Sequence, residues 1–247
     1  MSINISVVIP IYNEEGNIIS LIEELLPIVD EIGGGEIIIV NDNSNDSSKD
    51  LVLNKKDSNK TKIKLLSHAK QSGQSAGLLT GIKFASNNLI VTLDGDGQND
   101  PKDIISMMET WKTSEKSQEL LIIGHRVDRK DTWSRRYASL LALKVRKFIL
   151  RDSTPDSGCG IKIFSRNLFL SLPYFDHIHR FLPALTRRQG GVVISHAVSH
   201  RNRLSGVSKY SNLQRFKVGV VDLFGVSWLI KRSSFPVKVI VENKENN

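Results

Sequence analysis

Residues Ile5 to Leu26 read ISVVIPIYNEEGNIISLIEELL, and this stretch decides the fold. A short apolar run, Ile5 to Ile9, gives way to a proline, an aromatic and an amide before an acidic start. The period then changes from strand-like to helical, since Ile18, Ile19, Ile22, Leu25 and Leu26 share one helix face. The spacing predicts a strand and then a helix from about Glu14 to Leu26, with Pro27 ending it. The same unit recurs outward along the chain. Apolar runs at Glu36 to Val40, Ile63 to Leu66 and Leu89 to Leu93 alternate with amphipathic stretches starting near Asp46, Gln74 and Pro101. That rhythm implies βαβ units and an α/β fold with a doubly wound, mostly parallel sheet. In such a sheet the ligand crevice lies outside the carboxyl ends of the strands, where Pro10 to Glu14, Asn41 to Ser44 and Asp94 to Gln98 all fall.

Beyond Leu120 the pattern loosens. A strand at Leu120 to Gly124 precedes a basic amphipathic helix from about Trp133 to Leu150 and a loop with Pro155, Gly158 and Gly160. A short strand at Ile161 to Phe164, a helix around Phe181 to Gln189 and a strand at Val192 to Val198 follow. The last helix is expected over Asn212 to Lys231, with the final dozen residues as a frayed tail. The division expected is a catalytic domain over 1–211 and a C-terminal amphipathic helix and tail over 212–247.

The 247 residues, 40% of them hydrophobic, suffice for one domain with a proper core. A lone cysteine, Cys159, forms no internal disulfide, and the first residues show no signal-peptide pattern, so a cytosolic location is expected. Spanning a bilayer takes roughly 18 to 20 apolar residues. The nearest run, Val218 to Ile230, is interrupted by Asp222 and two glycines, so no crossing is expected. The net charge of +8 is unevenly placed: up to Leu120 there are 18 acids and 11 bases, and afterwards 8 acids and 23 bases. No Asp or Glu lies between His177 and Val221. The later half therefore attracts anions, whether pyrophosphate, lipid phosphate or nucleic acid.

Leu93-Asp94-Gly95-Asp96-Gly97-Gln98 carries the sharpest chemistry, because two carboxylates and an amide alternate directly after a buried strand. Hard divalent ions take oxygen ligands, so Asp94, Asp96 and Gln98 could hold Mg²⁺ or Mn²⁺ against a diphosphate. An Asp/Gly-rich surface turn reads equally well on this stretch alone. An EF-hand is disfavoured, since Ser106 stands near the twelfth position where a bidentate Glu is needed. Asp42, at the tip of a buried strand, could accept from a base or ribose hydroxyl, while Ser44 and Asp46 read better as helix caps. The six histidines show no metal-ligand spacing, and Cys159 reads as a small buried side chain.

Together these loops resemble family 2 glycosyltransferases of the GT-A fold, and within them the polyprenyl-phosphate sugar synthases related to dolichol-phosphate mannose synthase. The resemblance rests on VVIPIYNEEGNI at Val7 to Ile18, IIIVNDNSNDSS at Ile37 to Ser48 and SGQSAGLLTGIKFA at Ser72 to Ala85. It continues through LDGDGQNDP at Leu93 to Pro101, GHR at Gly124 to Arg126, DSGCGIKIF at Asp156 to Phe164 and RNRLSGVSKYS at Arg201 to Ser211. The resemblance implies a nucleotide-sugar site of Pro10, Tyr12, Glu14, Asp42, Asp94, Gly95 and Asp96, with metal on Asp94, Asp96 and Gln98. It also implies that Arg126, Arg203 and Lys209 meet donor or lipid phosphates, and that Arg135 or Arg136 faces the acceptor phosphate. Asn41 departs from an Asp usual there, and Asn43 from a common Gly.

The activity so implied is inverting transfer of a sugar from a GDP- or UDP-linked donor to a polyprenyl phosphate, with peripheral contact at the cytoplasmic membrane face. A phosphate acceptor is already ionised at neutral pH and needs no side chain as base. The two basic amphipathic stretches could lie on lipid or simply pack on the sheet. A same-fold rival transfers to a hydroxyl and needs a free carboxylate as base, for which Asp152 and Asp156 are the candidates. Nucleotidyltransferases usually carry a Gly-rich basic loop after the first strand, where Tyr12-Asn13-Glu14-Glu15 stands here. A basic nucleic-acid-binding module fits the charge of the later half but lacks interleaved aromatic residues, so no nucleic-acid partner is expected.

Overall fold

The computed structural model describes residues 3–114, 119–127, 143–201 and 212–232, with 212–218 described through the backbone alone. Seven strands form one sheet: β1 (Ile5–Ile11), β2 (Gly35–Asn41), β3 (Thr61–Ser67), β4 (Leu89–Thr92), β5 (Leu120–Arg126), β6 (Lys162–Ser165) and β7 (Val192–Val198). Their order is β3-β2-β1-β4-β6-β5-β7. All neighbours run parallel except β6, which is antiparallel to both β4 and β5. The chain steps from β1 to β2 and β3 on one side, then returns to place β4 on the other. That reversal puts the switch point between β1 and β4, where a crevice opens at the strand ends.

The helices are α1 (Ile18–Ile32), α2 (Ser48–Leu53), α3 (Gln74–Phe84), α4 (Asp103–Thr113), α6 (Arg166–Ser171), α7 (Leu182–Arg188) and α8 (Asn212–Lys231). A further helix, α5, covers 143–150. One core joins α1 and α4 to one sheet face through Val7, Ile9, Ile22, Leu25, Ile37 and Met107. The other joins α3, α6 and α7 to the opposite face through Val8, Ile38, Ile82, Phe164, Phe169 and Leu185. Alternate strand residues thus enter alternate cores, as the period of two requires. Helix α3 lies close on the sheet because two of its residues lack a side chain: a Cβ at Gly77 would fall 2.7 Å from Pro10, and one at Gly81 2.3 Å from Val8.

Helix α1 corrects one expectation. It does not stop at Pro27 but runs on to Ile32, and Gly33 closes it with a bond from its N–H to the Val29 carbonyl. Pro27 and Glu23 are both exposed, so the carbonyl that loses its partner faces water, while Ile28 and Val29 extend the buried stripe. Hydrophobic burial outweighs the missing bond. Among the described residues no helix is long and apolar enough to cross a membrane.

Candidate functional site

Two loops at the carboxyl ends of β1 and β2 are laced together by the short polar side chains between them. Ser44 Oγ accepts from the Asn13 N–H at 2.9 Å, Ser48 Oγ from the Glu14 N–H at 2.8 Å and Asp46 from the Glu15 N–H at 3.1 Å. In return the Asn45 N–H donates to Asn13 Oδ1 and the Ser47 N–H to Glu15. Ser44 therefore braces the neighbouring loop instead of capping α2, whereas Asp46 does accept from the Ser48 N–H at the helix start. Asn13 and Asn43 adopt φ of 53° and 61°. Asparagine tolerates that left-handed conformation, which explains how Asn43 serves at a position suited to glycine. Asn41 Oδ1 accepts from the Ser44 N–H, a turn-forming bond that an amide makes as well as a carboxylate.

Asp42 is buried and binds the chain's own donors: the N–H groups of Ser72 and Gly73, each at 2.8 Å, and His68 Nδ1 at 2.7 Å. It thereby holds the start of α3 against the end of β2. The next residue, Gln74, donates from Nε2 to Asp94 Oδ1 at 2.7 Å. Asp42, the α3 start and Asp94 thus form one connected rim at the switch point.

Asp94 is half-buried and lies against backbone: a Cβ at Gly160 would fall 2.4 Å from its carboxyl carbon. Burial and the neighbouring negative charge of Asp96 raise its pKa to about 6, against opposing pulls from Lys162, Arg126 and Gln74. Like charges held together in a shielded place favour a cation between them. Asp96 also accepts from the Gln98 N–H at 3.2 Å, which curls the loop. No group of three or more His, Cys, Asp or Glu gathers for a metal among the described residues. The oxygen set available is the Asp94 and Asp96 pair with Gln98 on the same loop, and oxygen donors of this kind fit a hard divalent ion.

Arg126, at the end of β5, spends its fork on Asp156, with Nε at 2.6 Å and Nη2 at 2.8 Å from the two carboxylate oxygens. That bond raises the arginine pKa further. The pair ties β5 to the loop that delivers Gly158 and Gly160. Asp152 is likewise committed, accepting from Arg146 Nε at 2.8 Å, Arg187 Nη1 and Thr154. Burial opposes its ionisation, but Arg146 and Thr154 outweigh that and hold it below the ordinary carboxylate value. Neither Asp152 nor Asp156 is a free base.

The segment after β7 is stapled to the acidic loop. The Arg201 N–H donates to the Gln98 carbonyl at 2.9 Å, and the Arg201 guanidinium meets Glu24 at 2.6 Å and Asp100 at 2.7 Å. Arg203, Lys209, Arg135 and Arg136 lie outside the described residues, as does most of the helix expected from Trp133. Of the expected site residues, Asp42, Asp94, Gly95 and Asp96 come together with the Pro10 to Glu14 loop. Glu14 accepts from Asn17 Nδ2 at 2.8 Å, and Gly95 sits so close to Ile11 that a Cβ would fall 2.7 Å from its Cγ2.

Sequence reasoning missed three residues at this place: Gln74, Lys162 and His179 line a cavity beside Asp94. Only Lys162 left a signal, as a single cation inside the otherwise apolar Ile161 to Phe164 run. Cys159 is fully buried, as expected, and burial raises its thiol pKa.

Comparison with known proteins gives concordant results. The family model for Glycosyl transferase family 2 matches residues 6–172. A dodecaprenyl-phosphate galacturonate synthase from Rhizobium johnstonii is 33% identical over 244 residues, covering 95% of this chain and 70% of that protein. An undecaprenyl-phosphate 4-deoxy-4-formamido-L-arabinose transferase from Pectobacterium atrosepticum is 32% identical over 217 residues, covering 85% of this chain and 64% of that protein. The chain thus spans about two thirds of the length of these relatives. Among solved structures, glucosyl-3-phosphoglycerate synthase from Mycobacterium tuberculosis in complex with Mn²⁺ and UDP-glucose superposes with a TM-score of 0.66. It is 20% identical, covering 91% of this chain and 78% of that chain, a likeness of fold alone.

Proposed function

The chain belongs to glycosyl transferase family 2, and from that premise we propose that it moves a sugar from a nucleotide-diphosphate donor to a polyprenyl phosphate, inverting the sugar carbon. The GT-A type sheet supplies the crevice, and both named relatives act on polyprenyl phosphates. The observation that carries the choice of acceptor is the state of the carboxylates. Asp152 and Asp156 are locked to arginines, and Asp94 belongs to the acidic pair. Neither Asp152 nor Asp156, the two candidates for a base, is free to take a proton from a hydroxyl acceptor, whereas a phosphate attacks without that help.

Pro10, Tyr12, Glu14 and Asp42 line the nucleoside side in this reading, Asp42 acting through the α3 start that it holds. Asp94, Asp96 and Gln98 would hold Mg²⁺ or Mn²⁺, which when bound offsets charge on the departing diphosphate. Arg203 and Lys209 are assigned to the phosphates and Arg135 or Arg136 to the acceptor, because two anionic reactants must meet despite mutual repulsion. Arg126 contributes through its pair with Asp156, which sets the loop against which Asp94 rests.

Residues 1–211 form the catalytic domain in this account, and 212–247 an extension. Contact with the cytoplasmic face of a membrane is assigned to α8 and α5. Val221, Phe224 and Trp228 on α8 are 71%, 64% and 60% exposed, and Phe148 on α5 is 88% exposed beside Lys144 and Lys147. Exposed large apolar side chains next to bases suit an anionic interface.

The test is incubation with Mg²⁺ or Mn²⁺, a panel of UDP- and GDP-sugars and a short polyprenyl phosphate. A glycolipid product is expected. Product formed only with a hydroxyl acceptor would move the assignment to the same-fold rival. Salt-sensitive DNA binding with no nucleotide-sugar binding would favour a nucleic-acid module instead.

A further inference from the structure

The loop that carries Asp94, Asp96 and Gln98 turns at Gly97, with φ of 70°, and runs to Asp100, whose carboxylate accepts from the Lys102 N–H at 3.0 Å just before α4. Its first carboxylate is fixed from the α3 side, since Gln74 holds Asp94. Its far half is fixed from much later in the chain. The segment after β7 lies along it: the Arg201 N–H donates to the Gln98 carbonyl at 2.9 Å, Asn99 and His200 form an antiparallel bridge, and the Ser199 N–H donates to Asp103 at 2.8 Å.

The Arg201 side chain clamps this contact. Its Nη1 lies 2.6 Å from Glu24 on α1, and its Nη2 lies 2.7 Å from Asp100. One guanidinium therefore ties the end of the acidic loop to a helix residue 177 positions earlier. A planar fork holds two carboxylates in fixed directions, which a flexible ammonium does not. Burial works against the charge, but Glu24 and Asp100 outweigh it and raise the arginine pKa. The Arg201 and Glu24 side chains are 35% and 37% exposed, and ion pairs so exposed add little to overall stability. What such a clamp fixes is local, namely the path of the backbone from Gln98 to Asp100.

We propose that Arg201 is a positioning residue for the metal: by clamping Asp100 to Glu24 it keeps the Asp96 to Gln98 stretch in the place where its oxygens meet a divalent ion. The inference rests on the metal assignment above. Two simpler roles for Arg201 give different results. A purely Coulombic role makes it an obstacle, since removing a cation beside an acidic loop strengthens the pull on another cation. A purely stabilising role loosens the whole fold and leaves the affinity of the folded protein as it was. Positioning alone gives weaker metal binding in a fold of nearly unchanged stability.

The test is calorimetric titration of Mn²⁺ into the full chain, with UDP or GDP present, in the wild type, Arg201→Gln, Arg201→Lys and Glu24→Gln. Asp96→Ala serves as the reference for a lost site. Arg201→Gln is expected to weaken Mn²⁺ binding about 10-fold or more, the scale seen for groups that orient metal ligands. The melting temperature of the metal-free protein should fall by no more than about 4 °C. Arg201→Lys should recover part of the affinity, and Glu24→Gln should lose less than Arg201→Gln. In sugar transfer the Mn²⁺ concentration giving half the maximal rate should rise by the same factor, with kcat at saturating Mn²⁺ changed less than about threefold. Binding as tight as wild type, or tighter, in Arg201→Gln overturns the proposal. So does a collapse of its melting temperature, which makes Arg201 a residue of the general fold. Wild-type protein that binds no Mn²⁺, or binds it no better than Asp96→Ala, sinks the metal assignment instead, and this inference with it.

Discussion

Asp94 shows how one side chain can be tuned by position. Its carboxyl is shielded, faces Asp96 and has a pKa of about 6, so below that pH it carries a proton and cannot serve a cation. Binding of Mn²⁺ is expected to strengthen as pH rises through about 6 and to release close to one proton there, which calorimetry in buffers of different ionisation enthalpy measures. An affinity flat from pH 5 to 8 would contradict it. The stability sign runs the other way. A carboxyl whose folded value is raised costs stability once ionised, fully above about pH 6 and less as pH falls towards the ordinary 3.8. Asp94→Asn should therefore raise the melting temperature of the metal-free protein by a few degrees at pH 8 and by little at pH 4. Gly160 is the other side of the same contact. A methyl 2.4 Å from the Asp94 carboxyl forces one of them to move, so Gly160→Ala is expected to cost about 1 to 3 kcal/mol of stability and most of the Mn²⁺ affinity. Unchanged metal binding would show that Asp94 does not depend on this backbone. The acidic pair was legible in the sequence because alternating carboxylates directly follow an apolar strand. Gln74 and His179 were not, since each reaches the cavity from a helix or turn whose sequence neighbours give no hint of it.

Element boundaries separate what local pattern decides from what packing decides. β7 and α8 fall at the residues expected from period and breaker residues, Val192 to Val198 and Asn212 to Lys231. α1 does not, because a proline on the water side of a helix costs one bond, while Ile28 and Val29 gain a buried face. α6 went unread: it follows β6 directly, with no turn residues between Ser165 and Arg166 to mark a new element. Ser44 looked like a cap and is a brace, since its partner Asn13 is 31 residues away and only the adjacency of β1 and β2 brings them together. For α8 the exposed side chains make the prediction. Replacing Phe224 and Trp228 with serine should weaken binding to anionic vesicles about 10-fold or more while leaving the melting temperature nearly unchanged, because both are largely exposed. Vesicle flotation and a thermal melt check it, and a lowered melting point with unaltered flotation would make α8 a packing element.

Across the whole molecule, charge and topology work together. The acid-rich first half builds the parallel sheet from β1 to β4 and presents Asp42, Asp94 and Asp96 at its carboxyl edge. The base-rich second half enters the same sheet through the antiparallel β6, and its arginines first answer needs inside the fold: Arg126 with Asp156, Arg146 and Arg187 with Asp152, Arg201 with Glu24 and Asp100. Composition alone made every arginine look available to phosphate. The pairings, which join residues 6 to 177 positions apart, depend on the fold and could not be read from spacing. What remains of the positive excess is assigned to the two anionic reactants. The most direct measurement is sugar transfer to a short polyprenyl phosphate against the matching polyprenol, in the wild type and in Asp96→Ala. Product is expected with the phosphate and none with the alcohol, with a fall of roughly 100- to 1,000-fold in turnover for Asp96→Ala. Transfer to the alcohol in place of the phosphate, or near wild-type turnover in Asp96→Ala, would contradict it.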